Sequence, residues 1–246
     1  MTETQSPRPP VDDRGRMKAI IVATAAIAFV LSPVVSQSFG GFEPDQFPIP
    51  QDHPPAQPAG YAFAIWSLIY AWLVAHAGFG LLKRADAADW DATRWPLAIS
   101  LVIGAAWIPT AQQSVLTATV LIWLMLGTAV WAYLKAPARD YWWAKVPLGL
   151  YAGWLTAASW VSVALVGAGW GIGPGALAWA WIVLVLALLF AAAVLTRAGR
   201  APEYGAAVAW AAVGIAVANF GSQTLLAIAA LLGAVGILAL SLLARN

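Results

Sequence analysis

The stretch Pro58-Ala-Gly-Tyr-Ala-Phe-Ala-Ile-Trp-Ser-Leu-Ile-Tyr70 closes an acidic, proline-rich segment and opens an apolar one. Read as a helix at 100° per residue, it places Phe63, Trp66 and Tyr70 within an arc of roughly 60°. Contact with lipid does not require such a stripe. A flat, apolar ligand with a polar edge suits one. Stacking surface is plentiful, since 15 of the 246 residues are Trp.

Outward from this stretch, apolar runs of about 20 residues recur along almost the whole chain, the length a helix needs to cross a bilayer. Hydrophobic residues make up 61% of the chain and charged ones 10%, whereas a soluble domain carries about a quarter charged residues. The reading is an all-α integral membrane protein with eight transmembrane helices. They fall at about 18–38, 61–82, 95–112, 115–134, 143–166, 175–196, 204–220 and 223–243. Two turns are very tight, Gln112-Gln113-Ser114 and Asn219-Phe220-Gly221-Ser222. Each interrupts an apolar run of about 40 residues, too long for one crossing.

Charge supports this division. Eight spans put both termini on one side, and all 13 Lys and Arg fall in the segments of that side. The opposite side carries Glu43, Asp45 and Asp52 instead. The positive-inside rule then places both termini in the cytoplasm, and the expected location is a bacterial inner membrane. The basic residues are scattered along a membrane rim, so the net charge of +2 does not indicate a nucleic-acid partner. The chain has no Cys, which excludes disulfides, thiolate metal sites and thiol nucleophiles. Residues 1–17 are polar and read as a disordered cytoplasmic tail. The first apolar run reads as a retained anchor rather than a cleaved signal.

The outer segment 39–60 holds six Pro, which stiffen it enough to lie over the mouth of a helix bundle. Pro33 and Pro109 are expected to kink the first and third spans. The uncharged, Gly-rich segment 167–175 is the expected boundary between a five-helix unit, 18–170, and a three-helix extension, 171–246. Trp90, Trp95, Tyr133, Tyr141 and Trp142 at cytoplasmic helix ends, and Trp170 on the outside, read as interfacial anchors. Trp66, Trp107, Trp154 and Trp160 lie from mid-membrane outward. In the fifth span Tyr151, Trp154, Ala158 and Ser162 share a face. Gly149 and Gly153 give that span a small-xxx-small spacing, which permits close helix approach.

These residues resemble the TspO/MBR family, the tryptophan-rich sensory proteins related to the translocator protein. The likeness covers about residues 18–170 and rests on three pieces. Gly60-Tyr-Ala-Phe-Ala-Ile-Trp-Ser-Leu-Ile-Tyr70 is similar to the start of the family's second helix. Trp107-Ile-Pro109 is similar to its third-helix Trp-x-Pro. Pro147-Leu-Gly-Leu-Tyr-Ala-Gly-Trp-Leu-Thr-Ala-Ala-Ser159 is similar to its fifth-helix motif. The chain departs from the family pattern at several points. Pro54-Pro55 stands earlier than the family's Pro-Pro pair, and Tyr61 stands near its expected Trp. Gly104 and Ser162 stand where the family has Asn.

The resemblance implies a TspO-like five-helix bundle, here followed by three additional helices, that binds porphyrin, haem or a related tetrapyrrole under the first loop. The implied ligand-binding residues are Tyr61, Phe63, Trp66, Tyr70, Trp107, Tyr151, Trp154 and Ser162. His76, the one membrane His, is a candidate axial ligand for a haem or chlorophyll metal. Gln112, Gln113, Asn219 and Gln223 sit at outer turns, as caps or as partners for ligand carboxylates. No span shows the mid-membrane charge that a proton-coupled carrier uses. No catalytic constellation is evident, and light-driven porphyrin degradation at a Trp is the one chemistry left open. The expected function is binding or sensing of a hydrophobic small molecule. The alternatives are a structural subunit of a larger membrane complex, or a carrier of small lipophilic molecules. A homodimer is a further expectation from shorter family members.

Overall fold

A computed structural model describes residues 13–36 and 39–243. Among these the chain forms eight α-helices: α1 (Asp13–Val35), α2 (Ile65–Lys83), α3 (Ala88–Ala111), α4 (Val115–Leu134), α5 (Lys145–Gly169), α6 (Ala176–Ala198), α7 (Pro202–Asn219) and α8 (Thr224–Leu243). Six segments are long and apolar enough to cross a membrane: α1, α2 with the turn before it, α4, α5, α6 and α8. α3 and α7 do not reach that measure. The first two turns of α3 carry Asp89, Asp91 and Arg94, and α7 is short and begins Pro202-Glu203. Both pack along their successors as hairpins through the tight turns expected from sequence. The chain is an all-α, multi-pass membrane protein. Three sequence expectations fall partly outside the described residues, the last three residues of the expected extension 171–246 among them. Residues 1–12 of the expected disordered tail are not described, while α1 already begins at Asp13. The last two residues of the first expected span are not described either.

Local chemistry sets the helix ends. Ser114 caps α4, its Oγ accepting from the Thr117 amide at 3.2 Å. Pro202 occupies the first turn of α7, where its missing N–H costs nothing. Gly199, at φ 69°, ends α6 in a conformation that a side chain resists. Pro33 and Pro109 both lie inside continuous helices.

Helix α5 is the axle of the molecule, packed by α2, α4, α6 and α7. Its small-xxx-small spacing is used against α7. A Cβ on Gly153 would stand 2.5 Å from the Tyr204 carbonyl oxygen and 2.9 Å from the Ala207 Cβ. One on Gly149 would collide with the Glu203 side chain. With no side chain on α5 at these two positions, the backbone of α7 and its short side chains approach α5 directly. Thr156 and Tyr204 share a hydroxyl hydrogen bond of 2.8 Å across the same seam.

One end of the bundle gathers the described Lys and Arg residues. Arg84 donates to both carboxylate oxygens of Asp140, at 2.8 and 3.0 Å, and the Trp90 indole N–H adds a third bond at 2.9 Å. These bonds, Arg84's first among them, hold the Asp140 carboxyl below the usual carboxylate range. Lys18 pairs with Asp91 at 2.6 Å, and Arg94 donates to the carbonyls of Gly15 and Arg84. Nearby, Glu203 is only 6% exposed and accepts from the hydroxyls of Tyr133 at 2.7 Å and Tyr141 at 2.5 Å. Burial pushes the Tyr141 hydroxyl above its ordinary value, so it stays a donor.

Two of the expected interfacial anchors are corrected by this arrangement. Trp90 is 1% exposed and Tyr133 is fully buried. Each has a polar tip that found an acidic partner in the protein, which removes the reason to sit among headgroups. Trp95 and Trp142 are exposed, as anchors would be.

Candidate functional site

At the opposite end, the helices diverge around an apolar cavity of about 470 Å³. α1 contributes Phe29, Val30, Pro33 and Val34. α2 and the turn before it contribute Phe63, Trp66, Ser67 and Tyr70. Gly104, Trp107 and Ile108 come from α3, Ile122 and Met125 from α4, and Trp154, Leu155 and Ala158 from α5. Phe39, from the segment after α1, completes the lining. A smaller space of about 60 Å³ continues under the proline-rich segment, bounded by Phe42, Pro58, Ser162 and Ala211 among others. Phe63, Trp107, Ile122, Trp154 and Ala158 face both.

The aromatic walls brace one another. Trp66 and Tyr70 stack one helical turn apart, with ring centroids 5.2 Å apart and planes at 20°. Trp154 stands edge-on to Phe63 at 5.8 Å and to Trp66 at 6.3 Å. Phe29 meets Trp66 and Tyr70 at 5.8 and 5.1 Å and closes the floor. Its ring fits because Gly104 carries no side chain. Trp107 is fixed by its indole N–H, which donates to the Ala118 carbonyl at 2.9 Å, and Phe39 packs against its ring at 4.8 Å. Edge-to-face contacts of this kind hold side chains in set orientations, so the walls are preformed. The polar contribution to the lining of the larger space is small, from Ser67, Tyr70 and the Trp residues.

The expected site residues separate into three groups. Phe63, Trp66, Tyr70, Trp107 and Trp154 line the larger cavity, and Ser162 lines its smaller extension. Tyr151 stands behind the wall. It is fully buried, its ring lies 5.7 Å from Phe29 and 6.4 Å from Trp66, and its hydroxyl shares a 2.9 Å bond with Ser100. Tyr61 lies elsewhere, 46% exposed, its ring 5.6 Å from that of Trp210 on α7. The reason is local. Residues Gly60–Ala64 form a 3-10 turn, and α2 proper begins at Ile65. Tyr61 enters the expected site through the resemblance alone, and at three residues per turn it lies about a third of a turn from Phe63, which does face the cavity.

His76 does not reach this cavity. It is buried at the charged end, stacked 4.9 Å from Trp90, with Nδ1 2.7 Å from the Trp143 carbonyl oxygen. The outer-turn amides act on the protein itself. Asn219 donates to the carbonyls of Pro55 and Ile215, Gln113 to that of Pro109, and Gln112 to that of Ser36. Among the described residues no group of three or more His, Cys, Asp or Glu gathers as a metal site.

Glu203 is a buried carboxylate that sequence reading passed over. It stands next to Pro202 at a helix start, where a charge ordinarily faces water. Its partners Tyr133 and Tyr141 are more than 60 positions away. Gly149, on α5, makes room for it by carrying no side chain.

No curated protein and no solved structure matches the chain. A protein-family profile described as TSPO-like protein matches residues 19–243. The match thus extends through the last three helices, beyond the five that carried the resemblance. A membrane binding or sensory role in general accords with that match, and the chain belongs to the TSPO-like protein family.

Proposed function

We propose that this protein binds a flat, largely apolar molecule with a polar edge, of which a tetrapyrrole is the best-fitting class. The observation that carries the reading is the preformed cavity of about 470 Å³ walled by Phe63, Trp66, Tyr70, Trp107 and Trp154. Its size falls within the roughly 300–1,000 Å³ typical of small-molecule sites, and its composition, apolar with few polar groups, is what such sites use. A macrocycle presents two π-faces to these rings and leaves its polar substituents for Ser67, Tyr70 or the loop side. The described lining has no His, so a metal-free ring suits it better than a haem held by an axial imidazole.

The test is a titration of the purified protein with protoporphyrin IX, followed by quenching of Trp fluorescence. Saturation near one ligand per chain, weakened by Trp66→Ala and Trp154→Ala, supports the reading. Linear, non-saturable quenching would leave the aromatics as packing alone. A carrier shares the same cavity with a sensor, and uptake into liposomes separates the two. Light-dependent degradation requires Trp as a reactant, so Trp154→Phe should slow bleaching of bound porphyrin under illumination. Unchanged kinetics would remove that activity from consideration.

A further inference from the structure

The roof over the cavity is tied down. The Ile49 amide donates to the Gly169 carbonyl at 2.9 Å, and Gln46 Nε2 donates to the Ala111 carbonyl at 2.9 Å. These two carbonyls end α5 and α3, where helix geometry leaves them without an intrahelical partner. Asn219 holds Pro55 from α7 at 2.9 Å, and the Ala59 amide donates to the Gly214 carbonyl at 3.0 Å. Opening the roof therefore means breaking several hydrogen bonds together. Beneath it the Phe42 ring lies against Phe39, Phe47 and Trp107, which excludes water from the path.

The side wall differs. Val34 lines the cavity and is also 77% exposed, and Ser67 opposite it on α2 lines the cavity and is exposed. The space therefore reaches the outer, lipid-facing surface of the bundle between the last turn of α1 and the first turns of α2. That turn of α1 is held from the α3 side, where Gln112 donates to the Ser36 carbonyl just beyond it. Pro33 has no N–H to give the Phe29 carbonyl, so one helical hydrogen bond is missing at this level. Ser32 donates to the Ala105 carbonyl at 2.8 Å and keeps the helix on α3.

The geometry points to loading of this cavity from within the bilayer, through a side mouth between α1 and α2 whose lips are Val34 and Ser67, while the roof stays shut. The inference rests on the ligand-binding reading of the same cavity and narrows its substrate class. The ligand is a lipophile already dissolved in the leaflet on the loop side, not a solute captured from water. Apolar bulk drives a molecule into that leaflet before the protein meets it.

The chain has no Cys, so a single introduced thiol reports access cleanly. Ala158→Cys places one on α5 facing both parts of the cavity. The full-length variant in lipid nanodiscs is treated with a bilayer-soluble maleimide or with a membrane-impermeant, charged methanethiosulfonate. The expected result is labelling by the maleimide, none by the charged reagent, and several-fold slower labelling when Val34→Trp is added. Gln57→Ala, which trims a side chain of the proline-rich segment bordering the smaller space, should change neither rate. Labelling by the charged reagent, or faster labelling with Gln57→Ala, would overturn the side mouth in favour of the roof. So would an unreactive thiol at 158 while Ser67→Cys, at the lip, reacts readily with the maleimide. Association of protoporphyrin IX with the same nanodiscs is measured in parallel. Failure of the wild-type protein to bind it would remove the ligand reading, and the labelling would still decide the route.

Discussion

The Phe29 ring fills the space that a side chain at Gly104 would need. A Cβ on Gly104 would stand 2.6 Å from Phe29 Cε2 and 3.1 Å from the Met125 methyl. Phe29 is buried between α3 and the Trp66–Tyr70 pair, so its way out of such a clash leads toward the cavity. Gly104→Ala should cost about 1–3 kcal/mol through overpacking. It should also weaken protoporphyrin binding by reducing the cavity. Thermal melting and the quenching titration read the two effects separately, and an unaltered affinity would show that the ring yields in another direction.

Trp154 and Tyr61 should behave oppositely although the family resemblance implies a place in the pocket for both. Trp154→Ala removes a wall and should weaken ligand binding by about 1 kcal/mol or more. Tyr61→Ala should leave affinity unchanged, because that ring packs on Trp210 outside the cavity. Equal losses from the two variants would mean that the ligand sits under the loop near Gly60 instead.

Glu203→Leu should destabilise the bundle more than Glu203→Gln. Leucine leaves the buried Tyr133 hydroxyl without its acceptor, a cost of about 1–3 kcal/mol. Glutamine keeps a carbonyl oxygen in nearly the same place. Detergent-solubilised melting curves of both variants, beside Tyr133→Phe with Glu203→Leu, provide the check. The double variant should recover part of the loss, since the orphaned hydroxyl is gone.

The Asp140 carboxyl is held below the usual carboxylate range by Arg84 and by the Trp90 indole, so the folded protein binds its proton later than the unfolded chain does. The stabilisation is therefore complete above that range and is lost as pH falls through the depressed folded value. Melting temperature should be flat through neutral pH and decline under acid. Asp140→Asn should lower the plateau slightly and flatten the acid limb. The effect is small because Arg84 is partly exposed to water. An acid limb of equal slope in the variant would assign the decline to other carboxylates.

The positions of all eight helices were legible in the sequence because each rests on a local signal. Apolar runs gave the bodies, and Gln112, Gln113 and Ser114, with Asn219, Gly221 and Ser222, marked the two tight reversals. The aromatic wall was legible at Phe63, Trp66 and Tyr70 on one stripe and at Trp154 on the fifth span. It failed at Tyr61, which rested on the resemblance alone and whose ring turns to Trp210 on α7. Trp90 looked like a headgroup anchor because its position at a helix end was visible and its partner, Asp140, was not. Glu203 was hidden for the same reason. Its burial depends on α4, on the 135–144 segment and on a gap left at Gly149, three places separate in the chain.

Helix α5 is the least apolar of the six segments able to cross a membrane and the most deeply enclosed by protein. Its glycines, Thr156, Ser159 and Ser162 suit contact with other helices and suit hydrocarbon poorly. During synthesis α5 emerges well before α7, the helix that covers Gly149 and Gly153. For that interval the cavity's central wall stands in the bilayer with its polar seam uncovered. Completion of the α5 seam thus waits on residues about 50 positions downstream, which close over Gly149 and Gly153 and pair Tyr204 with Thr156.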